Sequence, residues 1–318
     1  MHRPGARDVL QYEEIHLPPP QPHEVRLRHR AIGVNFIDTY YRSGLYAWPH
    51  SPLIPGAEGS GEVISTGQDV TWLKPGDRVA YTVQTGAYAE ERNISADRLV
   101  QLPPEISDET AAAMMLKGLT VQYLMRQIFQ IKSGDIVLFH AASGGVGLIA
   151  GQWGAHLGAL MIGTVGSDDK IELARANGYS HVINYSRENF VTRVAKITNG
   201  KGVDVVYDSI GQNTYPQSLD CLKKRGLWVS FGQSSGIVKN FELAHLASKG
   251  SLVATRPVLF DFIDTRESLN SAAAELFSVV ESGKVRISIN QRFALKEAAQ
   301  AHEKLESRLT TASTILYP

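Results

Sequence analysis

The sequence predicts an α/β protein in which a doubly wound parallel sheet is joined to a separate β-rich domain. Three observations support this class. A glycine-rich turn lies at 136–147, and short apolar strands alternate with helices from there to about residue 255. The first 118 residues instead contain strand-like segments separated by Pro and Gly turns. A chain of 318 residues is long for one domain and comfortable for two.

The glycine-rich turn follows an apolar, β-branched run that begins at Ile136, and a helix-compatible stretch continues from Leu148. Such a turn lets the backbone approach a nucleotide pyrophosphate, and the first N–H groups of the helix point at the negative charge. In the six-position dinucleotide fingerprint, the small-residue positions fall on Ala142, Gly144 and Gly147. A lone match of this kind is weak, so its surroundings carry the prediction.

The region after the turn alternates between strand and helix periodicity. The predicted helices are Asp168–Asn177, Glu188–Thr198, one that reaches Lys224, and one around Phe241–Ser248. The predicted strands are the one before the turn, Ala159–Val165, His181–Tyr185, Val203–Tyr207, Leu227–Phe231 and Ser251–Thr255. Six short apolar strands with helices between them fit one parallel nucleotide-binding sheet.

The end of the second strand bears on which dinucleotide the sheet would bind. A site for NAD usually has Asp or Glu there, which accepts hydrogen bonds from the ribose 2′-OH. Here the strand runs into Gly166 and Ser167, Lys170 lies three residues further on, and Tyr185 ends the third strand. These residues suit a 2′-phosphate and predict NADPH. The alternative is that Lys170 is an ordinary surface lysine, and the two aspartates beside it argue against a strongly positive pocket.

Composition excludes several classes of protein. The 32 basic and 32 acidic residues leave no net formal charge, so no overall field favours nucleic acid or an anionic membrane. No apolar run reaches about 18 residues, and the first residues lack a signal-peptide core, so we expect a cytoplasmic protein. The single cysteine, Cys221, excludes an intrachain disulfide and a cysteine-cluster metal site. We expect it on the helix before Lys223 as a small packing residue.

The first and last parts of the chain are predicted to form the second domain. The early strands are Glu24–Ala31, Gly61–Ser65, Arg78–Tyr81 and Leu99–Leu102, and the tail carries a helix from about Leu269 to Val280 and a strand at Thr314–Tyr317. The predicted domains are therefore 1–118 with 259–318, and 119–258 for the dinucleotide-binding sheet. A cleft between two domains is where a cofactor-dependent active site usually forms.

Six segments in this order resemble the medium-chain dehydrogenases/reductases. The segments are Gly33–Tyr40, Pro55–Val63, Pro75–Val79, Gly86–Glu90, Ala141–Gly147 and Asp204–Gly211. The most similar branch is that of the zinc-free NADPH:quinone oxidoreductases, also called the zeta-crystallin-like group. The resemblance covers nearly the whole chain and implies a GroES-like catalytic domain, a Rossmann domain and a homodimer.

The resemblance also bears on metal. Zinc-dependent members of the superfamily carry Cys where Asn35 stands and His where Ala57 stands, and this chain has no four-cysteine structural lobe. A catalytic zinc needs about three protein ligands and an open position. Glu58 alone does not make such a site, so we expect it to pack or to form hydrogen bonds. No metal site and no alcohol oxidation are expected.

The activity implied by the resemblance is transfer of a hydride, or of single electrons, from NADPH to a quinone. The protein then has to align the nicotinamide with the acceptor, exclude water and supply a proton donor. The implied catalytic residues are Tyr40 and Asn35, and the implied acceptor pocket contains Tyr40 and Tyr46. The implied cofactor residues are Asn35, Tyr40, Thr120, Gly144, Gly145, Val146, Gly147, Gly166, Ser167, Lys170, Tyr185, Ser209, Phe231, Gly232, Gln233, Ser235, Thr255 and Arg256.

Several alternatives stay open at the level of sequence. Tyr40 could be a core aromatic, Asn35 could only cap a turn, and Arg256 could only pair with an acid. The chain could instead reduce the double bonds of 2-alkenals or enones with NADPH, because the same hydride geometry serves both reactions. It could also be a non-catalytic protein that binds NADPH or RNA, although the neutral charge and the lack of a dense Lys/Arg tract make nucleic acid a poor candidate.

Overall fold

A computed structural model describes residues 1–318. Its strands are β1 Glu24–Val34, β2 Glu58–Thr66, β3 Arg78–Thr82, β4 Glu91–Ser95, β5 Val100–Gln101, β6 Ile136–Phe139, β7 Leu160–Val165, β8 His181–Asn184, β9 Val203–Asp208, β10 Leu222–Ser230, β11 Val253–Thr255, β12 Ile289–Ala294 and β13 Ser313–Tyr317. Its α-helices are α1 Phe36–Ser43, α2 Asp108–Gln122, α3 Gly145–His156, α4 Ile171–Ala176, α5 Phe190–Ile197, α6 Gln217–Asp220, α7 Leu243–Ser248, α8 Arg266–Glu281 and α9 Ala298–Glu306. No helix combines the length and the apolar character that crossing a lipid bilayer requires.

The chain forms two compact units. Unit 1 comprises Met1–Leu119, Ile263–Glu281 and Ile287–Pro318, and unit 2 comprises Thr120–Phe262 and Ser282–Arg286. The predicted domain boundaries differ from this division at residue 119, at 259–262 and at 282–286. In unit 2 the ring of Phe262 stacks on Tyr123 at 4.7 Å between centroids, and the backbone of Arg286 bonds to the side chain of Gln152 at 2.8 and 3.1 Å. These contacts hold residues 259–262 and 282–286 in unit 2.

Unit 1 contains a seven-stranded sheet with the order β12-β13-β1-β2-β3-β5, and β4 also pairs with β1. Alternate residues of β1, such as Val25 and Leu27, are fully buried in the core beneath it. The early strands and β13 were predicted, whereas β4, β12, α1 and α2 were not. β4 is polar and buries one residue, Ile94, so its own pattern does not distinguish it from a loop.

Unit 2 contains the predicted parallel sheet, with six strands in the order β11-β10-β9-β6-β7-β8. The two central strands β6 and β9 are buried, and their apolar runs include Val137, Leu138, Val205 and Val206. Continuous apolar strands are expected in a parallel sheet because helices cover both of its faces. The prediction of a doubly wound sheet is confirmed.

One predicted element of unit 2 is wrong. The helix expected to reach Lys224 ends at Asp220, and β10 begins at Leu222. Leu222 pairs with Val203 of β9 and is buried, so its sheet contact overrides local helix propensity. The strand then bulges at Arg225, whose φ is +62°, before regular pairing resumes. Cys221 is buried at the C-terminal end of α6, where burial raises the pKa of its thiol.

Candidate active site

The glycine-rich turn joins β6 to α3 in unit 2, and the helix begins at Gly145 with Gly144 as its N-cap. A Cβ on Gly147 would lie 2.3 Å from the backbone oxygen of Ala141, so no side chain fits there. A Cβ on Gly144 would meet only that same oxygen, at 3.3 Å, because the rest of its surroundings is open. Gly147 thus permits helix–strand packing, while Gly144 leaves room for a ligand to approach the backbone.

Neighbouring elements hold the turn in place. The backbone N–H of Ala142 donates to the carbonyl oxygen of Thr164 in β7 at 2.9 Å, and the buried hydroxyl of Tyr179 donates to the carbonyl oxygen of Gly147 at 2.7 Å. No side chain caps the N-terminus of α3. The first N–H groups of a helix have no partner within the helix, so they suit an anion such as a pyrophosphate.

The structure brings together the residues predicted to surround a 2′-phosphate. A Cβ on Gly166 would lie 2.9 Å from the hydroxyl of Tyr185, and the backbone N–H of Lys170 donates to the carbonyl oxygen of Ser167 at 3.4 Å. The neighbouring carboxylate of Asp168 is paired with Arg187 at 2.6 Å. This ion pair offsets one of the two negative charges that argued against a site for phosphate.

The loops after β9 and β10 also converge. The backbone N–H of Phe231 donates to the carbonyl oxygen of Asp208 at 2.9 Å, and that of Ser235 donates to Ile210 at 2.9 Å. A Cβ on Gly232 would lie 2.8 Å from the backbone oxygen of Ser209, so these two positions are in close contact. Ser209, Phe231, Gly232 and Ser235 therefore share one edge of the sheet, as predicted ligand-binding positions at the carboxyl ends of strands should.

A buried carboxylate that sequence reasoning did not single out shapes this edge. Asp208 is fully buried, and its oxygens accept hydrogen bonds from the N–H groups of Ile210 and Gly211, the hydroxyls of Thr214 and Ser218, and the indole of Trp228. Ser218 also bonds to His140, whose other ring nitrogen bonds to Thr164. Burial lowers the pKa of His140, which joins this network in the interior. The network links the ends of β6, β7 and β9.

In unit 1, Asn35 is the N-cap of α1 and its side chain bonds to Glu58. The Glu58 carboxylate is fully buried and accepts from Asn35 Nδ2 at 2.9 Å, Lys117 Nζ at 2.5 Å and the backbone N–H of Leu116 at 2.7 Å. A Cβ on Gly33 would lie 2.2 Å from its Oε1, so the carboxylate is packed against bare backbone. The hydrogen-bonding role expected for Glu58 is confirmed.

Lys117 is a functional candidate that sequence reasoning missed. Its side chain is only 7% exposed and forms an ion pair with a carboxylate that is 0% exposed. A single lysine inside the otherwise apolar run of α2 around residues 111–119 was the available signal. Buried charges are stable only when they are paired, so such a lysine requires an acid nearby.

A second polar chain fixes the backbone at the start of α1. Asp38 Oδ2 accepts from the backbone N–H of Asn35 at 2.8 Å and from the hydroxyl of Tyr88 at 3.1 Å. The Tyr88 oxygen lies 2.9 Å from His302 Nε2, and Arg42 donates to His302 Nδ1 at 3.3 Å. Because Nδ1 accepts from arginine, the histidine carries its proton on Nε2 and donates it to Tyr88. Burial raises the pKa of Asp38 to about 7 and lowers that of His302 to about 4.

The two tyrosines predicted for an acceptor pocket lie together at the end of α1. The rings of Tyr40 and Tyr46 meet edge to face with 5.3 Å between centroids, and the backbone N–H of Tyr46 donates to the carbonyl oxygen of Tyr40 at 3.1 Å. Tyr46 also lines an open cleft of about 340 Å³ with His2 and Trp48 among its other walls. Thr120, at the start of unit 2, is buried.

No group of three or more His, Cys, Asp or Glu side chains is arranged so that it could hold a metal ion. Around Glu58, the neighbouring groups are two N–H donors and an ammonium, and none of these binds a cation. The side chain of Ala57, where zinc-dependent relatives carry His, is buried.

Asp38 gives a testable dependence of stability on pH. The pKa of its carboxyl is raised from 3.8 to about 7, so between these values the folded chain holds a proton that the unfolded chain has lost. The contribution of Asp38 to the free energy of unfolding therefore falls as pH rises through this window. This fall is absent in Asp38→Asn. In urea unfolding from pH 4 to 8, the free energy of unfolding of the variant relative to that of the wild type should therefore rise by a few kcal/mol.

The contributions of His302 and the other groups are common to both proteins and cancel in the difference. Asp97→Asn at an exposed position is the matched control and should give a difference that does not vary with pH. A constant difference for Asp38→Asn as well would contradict the raised pKa.

Comparison with known proteins agrees with this geometry. The GroES-like domain of alcohol dehydrogenases matches residues 21–104, and the zinc-binding dehydrogenase family matches residues 145–270. A quinone oxidoreductase of Pseudomonas aeruginosa is 53% identical over 315 residues, which cover 99% of this chain and 97% of the relative. A 2-haloacrylate reductase of a Burkholderia species is 42% identical, with coverage of 100% and 98%.

Among solved structures, the Escherichia coli quinone oxidoreductase in complex with NADPH superposes with a TM-score of 0.98 at 50% identity, over 100% of this chain and 98% of that one. The GroES-like and Rossmann-type domains that the sequence resemblance implied are thus both present. The chain belongs to the quinone oxidoreductase family of the medium-chain dehydrogenases/reductases.

Proposed function

We propose that this protein is an NADPH-dependent reductase that transfers a hydride, or single electrons, to a quinone. The observation that carries the proposal is the full-length similarity to the Escherichia coli quinone oxidoreductase whose structure contains NADPH. Two features of this chain support it: the open backbone at Gly144, which suits a pyrophosphate, and the absence of an acid at the end of β7, which suits a 2′-phosphate.

The proposed cofactor contacts are those that the family resemblance implies. The pyrophosphate would lie on Gly144, Gly145, Val146 and Gly147, and the adenosine phosphate would lie against Gly166, Ser167, Lys170 and Tyr185. The nicotinamide end and the rest of the cofactor would be held by Asn35, Tyr40, Thr120, Ser209, Phe231, Gly232, Gln233, Ser235, Thr255 and Arg256. When bound, the reduced nicotinamide supplies two electrons as a hydride.

The remaining work falls to side chains of this chain. Reduction of a quinone by NADPH consumes one proton and gives a hydroquinone and NADP⁺, so the site needs a proton donor. We propose that the hydroxyl of Tyr40 assists the reaction, either by protonating the acceptor or by orienting it. Tyr46 provides an apolar wall with a polar tip beside it, an arrangement that suits a flat aromatic ring. Asn35 supplies a positioned amide.

The reaction as proposed is independent of zinc. Glu58 is the one carboxylate at the position of the family's metal site, and three N–H donors occupy it, including the ammonium of Lys117. A zinc ion would have to displace that ammonium and would find an amide and a methyl group where it needs two further ligands. A quinone needs no Lewis acid, because its reduced product is aromatic. We also propose a cytoplasmic location, with which a free thiol as the only cysteine is compatible.

A second candidate function is the reduction of an activated carbon–carbon double bond. The Burkholderia relative named for 2-haloacrylate reduction is 42% identical to this chain over its whole length, which favours this alternative. A hydride added to the β-carbon of such a substrate also requires a proton at the neighbouring carbon, so the same donor would serve.

The test is a panel of acceptors with NADPH, namely 1,4-benzoquinone, 9,10-phenanthrenequinone, a 2-alkenal and a 2-haloacrylate. We expect the fastest turnover with the quinones, unchanged after treatment with a chelator. Tyr40→Phe keeps the aromatic ring and loses only the hydroxyl, so it should slow quinone turnover more than it weakens NADPH binding. Turnover confined to the double-bond substrates would establish the second function, and salt-dependent RNA binding without any NADPH oxidation would overturn both.

Lys170 tests the choice of cofactor. In Lys170→Ala the 2′-phosphate would lose a cation, so the Kd for NADPH should rise about tenfold while the Kd for NADH changes little. Fluorescence titration of each reduced dinucleotide measures both constants. Lys201→Ala, at an exposed position of the same unit, should leave both constants unchanged. An equal change for NADPH and NADH in Lys170→Ala would refute the assignment.

We also propose that the protein is a homodimer that associates through the free edge of the sheet in unit 2. β11 is the edge strand there, and its Val253 is 53% exposed. Further exposed apolar side chains lie nearby in sequence, namely Ile237, Phe241, Leu243 and Val258. An exposed apolar edge of this kind offers unpaired N–H and C=O groups to a second copy, which would pair with it.

A charge at the edge strand tests the dimer. Val253→Lys should give a monomer in sedimentation velocity at micromolar concentration, because a lysine on each copy would repel and resist burial. Ile15→Lys replaces another exposed apolar residue, in unit 1, and should remain a dimer. A wild-type protein that sediments as a monomer would rule out this proposal.

A further inference from the structure

We propose that Glu58, held in place by Lys117, is a positioning residue that fixes the side-chain amide of Asn35 so that it donates a hydrogen bond to a carbonyl oxygen of the bound ligands. The proposal rests on the proposed function for the identity of those ligands. The geometry that supports it lies within unit 1 alone.

The first step concerns which way the Asn35 amide is turned. Its side-chain nitrogen lies 2.9 Å from Glu58 Oε1. A carboxylate only accepts hydrogen bonds, so the group facing it must be the NH₂ and not the oxygen. The amide does not cap α1, because the N–H of Asp38 donates at 3.1 Å to the backbone oxygen of Asn35. One N–H of the amide is bound to Glu58, so the second N–H is the group left for a ligand.

The second step concerns what holds the Glu58 carboxylate in place. Lys117 Nζ lies 2.5 Å from its Oε1, and the backbone N–H of Leu116 lies 2.7 Å from its Oε2. Backbone at Gly33 closes the remaining side, because even a methyl group there would lie 2.2 Å from the carboxylate. The carboxylate therefore has one position, and the amide that donates to it has one orientation.

The third step concerns the backbone of Asn35. Its N–H donates to Asp38 Oδ2 at 2.8 Å, and Asp38 is in turn bonded to Tyr88. Both the main chain and the side chain of Asn35 are thus bound to buried carboxyl groups. A group fixed before the ligand arrives loses little entropy when it binds. Such a fixed N–H suits the oxygen of a carboxamide. It also suits the oxygen of a quinone, because negative charge develops on that oxygen when the quinone is reduced.

A double-mutant cycle of Glu58→Gln and Asn35→Ala tests this role. The introduced glutamine side chain can offer an NH₂ or an oxygen to Asn35, so the Asn35 amide loses its fixed orientation. We expect Glu58→Gln to lower kcat/KM for 1,4-benzoquinone about tenfold, the effect of losing one well-placed bond to a charged group. In the Asn35→Ala background the same change should have less than about a twofold effect. An equal loss in both backgrounds would overturn the proposal, because Glu58 would then act independently of Asn35.

Two measurements separate the possible oxygen acceptors. A raised Kd for NADPH in Glu58→Gln, measured by fluorescence without any quinone, would assign the bond to the nicotinamide carboxamide. An unchanged Kd with a raised KM or lowered kcat would assign it to the quinone carbonyl. An unchanged Kd together with unchanged kcat and KM would refute the proposal. If the wild type binds NADPH but reduces no quinone, the proposed function fails while the Kd still reports on Glu58.

Further variants guard against a simple loss of folding. Glu58→Gln leaves the Lys117 ammonium unpaired in the interior, so the cycle is repeated with Glu58→Gln/Lys117→Met, in which both charges are removed. This variant should fold and still show the loss that depends on Asn35. Asp108→Asn breaks another ion pair of unit 1, the one with Arg78, and should leave kcat/KM within about twofold of the wild type.

Discussion

The dinucleotide half of this protein depends on the close approach of a helix to the sheet it covers. Helix α3 begins where no side chain fits at Gly147, and further along it Gly151 faces the ring of Tyr179 at a distance that excludes a Cβ. On the sheet side, Gly163 of β7 leaves room for Ala142. Because helix and strands touch through backbone, the N-terminus of α3 is set at a fixed height above the sheet. The loops that follow the other strands are arranged around that point.

The GroES-like unit depends on a different constraint, which is that polar groups must be held in place inside its core. Glu58, Asp38 and His302 are buried and are each held by specific partners. Breaking any of these pairs would leave an uncompensated polar group in the interior, which costs far more than a surface bond contributes. The start of α1 is therefore one of the most tightly specified places in unit 1. It is also where the family resemblance places the reacting groups.

The sequence predicts the fold and the site correctly where a residue type has a single physical reason to occupy its position. The glycines of the turn, the apolar runs of β6 and β9 and the missing acid at the end of β7 could all be recognised without coordinates. Lys117 and Tyr88 could not be matched to Glu58 and Asp38, because each pair is distant along the chain and only the fold brings it together. The error at Leu222 has the same origin, since its strand is specified by pairing with Val203. Local patterns thus predicted the sheet, and tertiary contacts decided the polar interior.

The buried thiol of Cys221 has a consequence for a protein that handles quinones. Quinones are electrophiles, and thiolates add to them readily to form stable thioethers. The only cysteine here is 1% exposed, and burial raises its pKa, so little thiolate is present and an acceptor molecule has no path to it. Packing thereby protects the only thiol of the chain from covalent addition by the proposed substrates.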